Sequence, residues 1–141
     1  MEKSRKGDLL MIRFSDGEDL LEGMMKALKD EGIRSGVIIG GVGMIRDAAL
    51  SFYKGRGEYE TVPLGEEVEL CALSGNVSTM GDELVIHMHA TVGRRGGTAM
   101  AGHLSAGRVN MTTEIAVLAA AQKLIRRADP DTGLRTLTFE V

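Results

Sequence analysis

The stretch ELVIHMHATV, residues 83–92, alternates with a strict period of two. Leu84, Ile86, Met88 and Ala90 fall on one face, and Val85, His87, His89 and Thr91 on the other. Only an extended strand puts every second side chain on a common face, so this segment commits the chain to a sheet. The same alternation closes the chain at 134–141, LRTLTFEV. Strand-length apolar runs occur at 8–14, 33–39, 45–53 and 68–79, and 98–104 returns after the turn Gly93–Gly97. The glycines Gly40, Gly41 and Gly43 read as a tight turn between 33–39 and 45–53. They carry no nucleotide signature, because Arg46 stands where a dinucleotide loop needs its third glycine and no Gly-Lys-Ser/Thr occurs.

One segment has the other period. Leu20, Leu21, Met24, Met25 and Leu28 recur at helical spacing after Ser15-Asp16-Gly17-Glu18, which matches the capping-box pattern, and Gly32 stands as the C′ residue. The spacing predicts a helix over Asp16–Glu31. Residues 107–127 carry both signals: the first part reads as strand, and Ala116–Arg127 reads as helix by propensity. Many short strands with one clear helix imply an α+β fold with a largely antiparallel sheet. At 141 residues this is one domain.

Composition excludes several classes. With 43% hydrophobic and 26% charged residues the chain is globular rather than disordered. No apolar run reaches the ~18 residues of a membrane span. The opening MEKSRKGD lacks the apolar core of a signal peptide, so a cytoplasmic location is expected. The single Cys71 excludes a disulfide framework and reads as a small buried hydrophobe. A net charge of −3, 4% aromatics and no Trp count against a strong nucleic-acid surface. Arg94, Arg95, Arg108, Arg126 and Arg127 could meet phosphate, but the acidic total favours reading them as a solvated face.

All three histidines lie between 87 and 103. His87 and His89 leave a strand on the same face, close enough to share one ion. His103 returns on the next strand. In an antiparallel pair the residue numbers sum to a constant. A sum of 190 sets His103 opposite His87, and 192 sets it opposite His89. Any even register places the three rings on one face; an odd register or a bulge does not. Three neutral imidazoles suit a divalent metal, zinc above all. The competing reading is three histidines hydrogen-bonded in a half-buried sheet face. Glu114, in the nearly uncharged stretch Asn110–Ala121, is either a partner for a histidine, a general base, or an edge or interface carboxylate.

Leu73-Ser74-Gly75-Asn76, His87-Met88-His89-Ala90-Thr91, Ala101-Gly102-His103-Leu104 and Thr113-Glu114-Ile115 together resemble the prokaryotic branch of the plants-and-prokaryotes-conserved (PPC) domain. That domain also occurs in plant AT-hook nuclear-localised proteins. Gly41-Val42-Gly43, Ala48-Ala49-Leu50, Tyr53 and Asp129 to Gly133 fit the same pattern, so the resemblance spans nearly the whole chain. Ala101 and the run Ala119–Ala121 depart from it, which bears on the extent of the late strand. The resemblance implies a mixed sheet of about seven strands with helix packing, assembled as a homotrimer. It also implies a metal site, usually zinc, held by His87, His89 and His103. The family's DNA-binding role comes with it, but no AT-hook is present; Gly55-Arg56-Gly57 is only a fragment. DNA binding is therefore expected to be weak, with a regulatory role and no membrane partner. The alternative is a zinc-dependent enzyme of hydrolase or lyase type, using a metal-bound water with Glu114 as base. Self-association also follows from the strands at 45–53 and 68–79, whose apolar residues on both faces need more cover than one helix offers.

Overall fold

A computed structural model describes residues 1–139. In chain order the elements are β1 (Glu2–Lys6), β2 (Leu9–Ser15), α1 (Leu20–Asp30), β3 (Gly36–Gly55), β4 (Glu58–Pro63), β5 (Val68–Met80), β6 (Glu83–Gly93), β7 (Ala99–Ala119), β8 (Leu124–Ala128) and β9 (Arg135–Phe139). The end of the strand expected at 134–141, residues 140–141, lies outside the described residues.

All nine strands join one sheet, ordered β1-β2-β7-β3-β5-β8-β9, with β4 on β3 and β6 bridging β5 and β7. The sheet is mixed: β8 runs parallel to β5 at Thr79 and Ile125, and the other pairings are antiparallel. Because β3 and β6 each pair with both β5 and β7, these four strands form a closed circuit. Closure satisfies edges that would otherwise stand open. The fold is mostly β, richer in strand than the α+β expectation, with nine strands among the described residues in place of about seven.

Helix α1 covers one face. It buries Leu20, Met24, Ala27 and Leu28 in a core shared with Leu10, Ile12 and Phe14 of β2. Contact is close: a Cβ on Gly23 would lie 2.5 Å from the Phe14 ring. Each such fully buried side chain contributes roughly 1.5–3 kcal/mol. The helix is shorter than Asp16–Glu31. Glu18 does reach back to the Ser15 N–H at 2.7 Å, but Asp19 is the N-cap, accepting from the Leu21 and Glu22 N–H groups at 3.0 Å each. Residues 15–18 stay out of the helix because β7 claims their backbone: Gly17 N–H donates to Val109 O at 2.9 Å, and Val109 N–H to Glu18 O at 2.8 Å. Gly32 takes the left-handed C′ conformation as expected, with φ 65°.

Three further expectations are corrected. Gly40–Gly43 is no turn; β3 runs through it as one 20-residue strand with register shifts at Ile38/Gly40 and Gly43/Ile45. Gly41 and Gly43 answer crowding, since a Cβ on Gly43 would lie 2.4 Å from Thr112 O and one on Gly41 2.8 Å from Leu73 Cβ. Ala116–Arg127 is no helix. Leu124–Ala128 form β8, and Ala116–Ala119 finish β7 because residues 113–118 pair on one side with β2 and on the other with β3. Hydrogen bonding on both edges outweighs the intrinsic preference of alanine. Cys71 is exposed, not buried. A bulge between Leu70 and Ala72 shifts the alternation, so Leu70 and Leu73 point inward and Cys71 outward.

Candidate metal centre

The turn at Gly93–Gly97 fixes the β6–β7 register with His89 opposite His103, the even sum that sets them on one face. His87 lies two residues back on β6, and Asn76 and Ser74 of β5 stand opposite His87 and His89. The three rings converge: centroids are 4.9 Å apart for His87–His89, 5.1 Å for His87–His103 and 5.5 Å for His89–His103. One nitrogen from each ring lies within 4.8 Å of the others. His87 and His103 are half-buried and His89 is exposed. Burial, then the Arg126 charge and the neighbouring rings, holds His87 down at about 4. Burial and His89 also lower His103. His87 is therefore neutral at physiological pH, the state a metal ligand requires. The chemistry of the donor set and the convergence of its nitrogens both fit a divalent ion of the zinc type.

Sequence reasoning missed Arg126, which is no solvated residue. Its Nε donates to Ser78 Oγ at 3.0 Å, its Nη1 to Arg135 O at 2.6 Å and its Nη2 to Asn76 Oδ1 at 2.7 Å. Nη2 also lies 3.4 Å from His87 Nδ1. Nothing local could have shown this, because the contacts come from β5, β6 and β9. Arg94 and Arg108 are likewise engaged, with Glu66 and with Gly17 O. Tyr59 of β4 was missed too; its ring centroid lies 6.2 Å from that of His103.

Glu114 is not brought to the histidines of its own chain. It lies eleven residues beyond His103 on β7, opposite Arg13 of β2 and Val42 of β3. At ~3.3 Å per residue that is on the order of 30 Å along the strand. It lines a separate shallow hollow with Met11, Arg13 and Glu2.

A cleft of about 470 Å³ opens beside the cluster. Its walls include His87, His103, Tyr59 and Arg126, with Ile86 on β6 and Leu134 to Leu137 leading into β9. A hollow of about 510 Å³ against α1 is lined by Met25, Leu28, Ile33 and Leu84 together with Lys29, Arg34, Asp82 and Glu83, and no histidine reaches it.

Fold and cluster together define a class: a small, mostly-β domain with three histidines converging from adjacent strands of one closed sheet. Residues 1–121 match the model of the Plants and Prokaryotes Conserved domain, and the chain belongs to that family. A candidate DNA-binding protein from Bacteroides thetaiotaomicron shares the fold at a TM-score of 0.92 and 29% identity, covering 98% of this chain and 96% of that one. A metal-containing protein from Archaeoglobus fulgidus aligns at 0.85 and 30%, covering 94% of each chain. A plant- and prokaryote-conserved protein from Pyrococcus horikoshii aligns at 0.81 and 26%, covering 99% and 96%. Among curated proteins, the bifunctional protein GlmU of two Synechococcus strains is 30% and 29% identical over 131 residues, 92% of this chain. The chain spans about a fifth of the length of those relatives, 20% in each case.

Proposed function

We propose that this chain is a zinc-binding, homotrimeric PPC-domain protein that acts through association, with a DNA-linked regulatory role. The observation that carries the metal reading is the convergence of His87, His89 and His103 from two paired strands. The similarity to a metal-containing protein of the same fold supports it. Those three residues would hold the ion, which would cross-link β6 to β7 and supply a Lewis-acid position. The DNA-linked role rests on the likeness to the Bacteroides protein. With a net charge of −3, DNA affinity should be weak, independent of sequence and steeply salt-dependent.

Self-association is supported by an uncovered face. Leu9, Leu118 and Val37 stand in one cross-strand row, on the side of the sheet opposite α1. Met11, Ile39 and Val42 are further exposed apolar residues of β2 and β3, and Ile39 is 55% exposed. Such a stripe seldom stays open to water.

Elemental analysis of purified protein tests the metal. Close to one zinc per chain is expected, lost on chelation and falling to background in His87→Ala and His89→Ala. Equal metal content in the wild type and the double variant would end this reading.

A further inference from the structure

We propose that the cleft beside the histidines binds a small organic acid, its carboxylate held by Arg126 and its apolar body by Ile86, Leu134 and Leu137. This goes beyond the metal reading and draws on it only for a second anchor, since a dication on neutral ligands also attracts an anion.

The first argument is charge. Arg126 and Arg135 line the cleft, and among the described residues no Asp or Glu does. Among the described residues Arg126 has no ion-pair partner, and its guanidinium bonds are to Ser78, Asn76 and Arg135 O. A half-buried cation set beside His87 in a cleft whose described lining holds no carboxylate is an unbalanced charge, and balancing it stabilises whatever anion arrives.

The second argument is donor capacity. A guanidinium has five N–H groups. Three are committed to oxygens of Ser78, Arg135 and Asn76, which hold the plane rigidly. A fourth is only loosely engaged with His87 Nδ1 at 3.4 Å, and the remaining one has no acceptor among the bonds Arg126 makes. A carboxylate can take these remaining donors without the cost of ordering the side chain.

The third argument is shape. β6 pairs with β7 only from His89 to Gly93, so Val85–His87 has no strand on that side, and the cleft opens there. About 470 Å³ falls in the range of small-molecule sites. The mixture of apolar side chains with one fixed cation suits an acid that has a hydrocarbon or aromatic body. A bare phosphate would leave that apolar wall unused.

Calorimetric titration of the purified chain, zinc-loaded and chelated, tests this with benzoate, neutral benzamide and inorganic phosphate as probes. Benzoate should bind saturably, and benzamide and phosphate at least about ten-fold more weakly. Arg126→Gln should weaken benzoate about ten-fold or more, whereas Arg127→Gln should not. Leu137 is directly opposite Arg126 on β9, so Leu137→Glu supplies an internal counter-charge and should abolish binding even if Arg126→Gln fails to fold. Benzoate binding no tighter than benzamide, undiminished binding in Leu137→Glu, or phosphate binding as tightly as benzoate would each overturn the organic-acid site. A zinc-loaded chain that ignores benzoate sinks this site and leaves the metal reading standing. A chain that carries no zinc yet binds benzoate through Arg126 does the reverse.

Discussion

Residues that act in pairs along one strand announce themselves in the sequence; residues that act across strands do not. The two-residue spacing of His87 and His89 already sets both rings on one face, whatever the rest of the fold. Arg126 has no such signal, and its role exists only because β8 lies beside β5. Asp16 is a second case. Its carboxylate accepts from Arg46 Nη1 at 2.7 Å and from the Met111 N–H at 2.9 Å, across 30 and 95 residues of chain. Arg46 first, and the Met111 amide second, hold the Asp16 carboxyl below its ordinary value. The sign follows: the folded form binds its proton less readily than the unfolded form, so the contribution is complete above about pH 4 and disappears as pH falls through the depressed value. Asp16→Asn should therefore lower the thermal midpoint at about pH 6, and the gap to wild type should narrow as pH falls below about 4. A gap that stays constant across that range would show that the charge is irrelevant.

Strand β6 carries two of the three histidines, and its separation from β5 depends on a single missing side chain. A Cβ on Gly75 would stand 1.9 Å from the carbonyl oxygen of His87 and 3.1 Å from Met88 Cα. The obstacle is backbone, so no rotamer change relieves it. Gly75→Ala should destabilise the fold by about 3 kcal/mol, the upper end of what overpacking typically costs. It should also displace His87, so zinc content should fall along with the denaturation midpoint. A variant with wild-type midpoint and metal content would show that β5 and β6 adjust without cost. The same crowding explains why the glycine run in β3 misleads: Gly41 and Gly43 are glycines because of the side chains and backbone pressed against them, not because the chain turns.

For the assembled molecule, the row Leu9–Leu118–Val37 continues through Asn76 to His87, each the direct cross-strand partner of the next. The apolar stripe and the histidines thus share one side of the sheet. A homotrimer of about 45 kDa, three times the 15.1 kDa chain, should persist at micromolar concentration. Light scattering reads this directly, and a 15 kDa species in zinc-replete buffer would sink the trimer. Val37→Lys with Leu118→Lys places two charges in the middle of the stripe and should yield monomer. If the histidines lie close to the subunit contact, chelation should loosen the trimer as well; if they do not, the trimer should survive it.

What the sequence determined by itself is whatever repeats at the period of one element. The β6 alternation, the apolar stripe of α1, the Gly32 C′ position and the shared face of His87 and His89 all follow from bond geometry within a few residues. Pairing was legible only as a set of options: two registers satisfied the histidines, and the folded β6–β7 hairpin took the one with His89 opposite His103. Tertiary structure alone decided that β3 and β7 run unbroken for 20 and 21 residues, that Ala116–Ala119 belong to a strand, and that Arg126 meets His87. Each of these is settled by hydrogen-bond partners tens of residues away. A segment's own propensity differs between states by tenths of a kcal/mol per residue, and pairing on both edges with burial exceeds that.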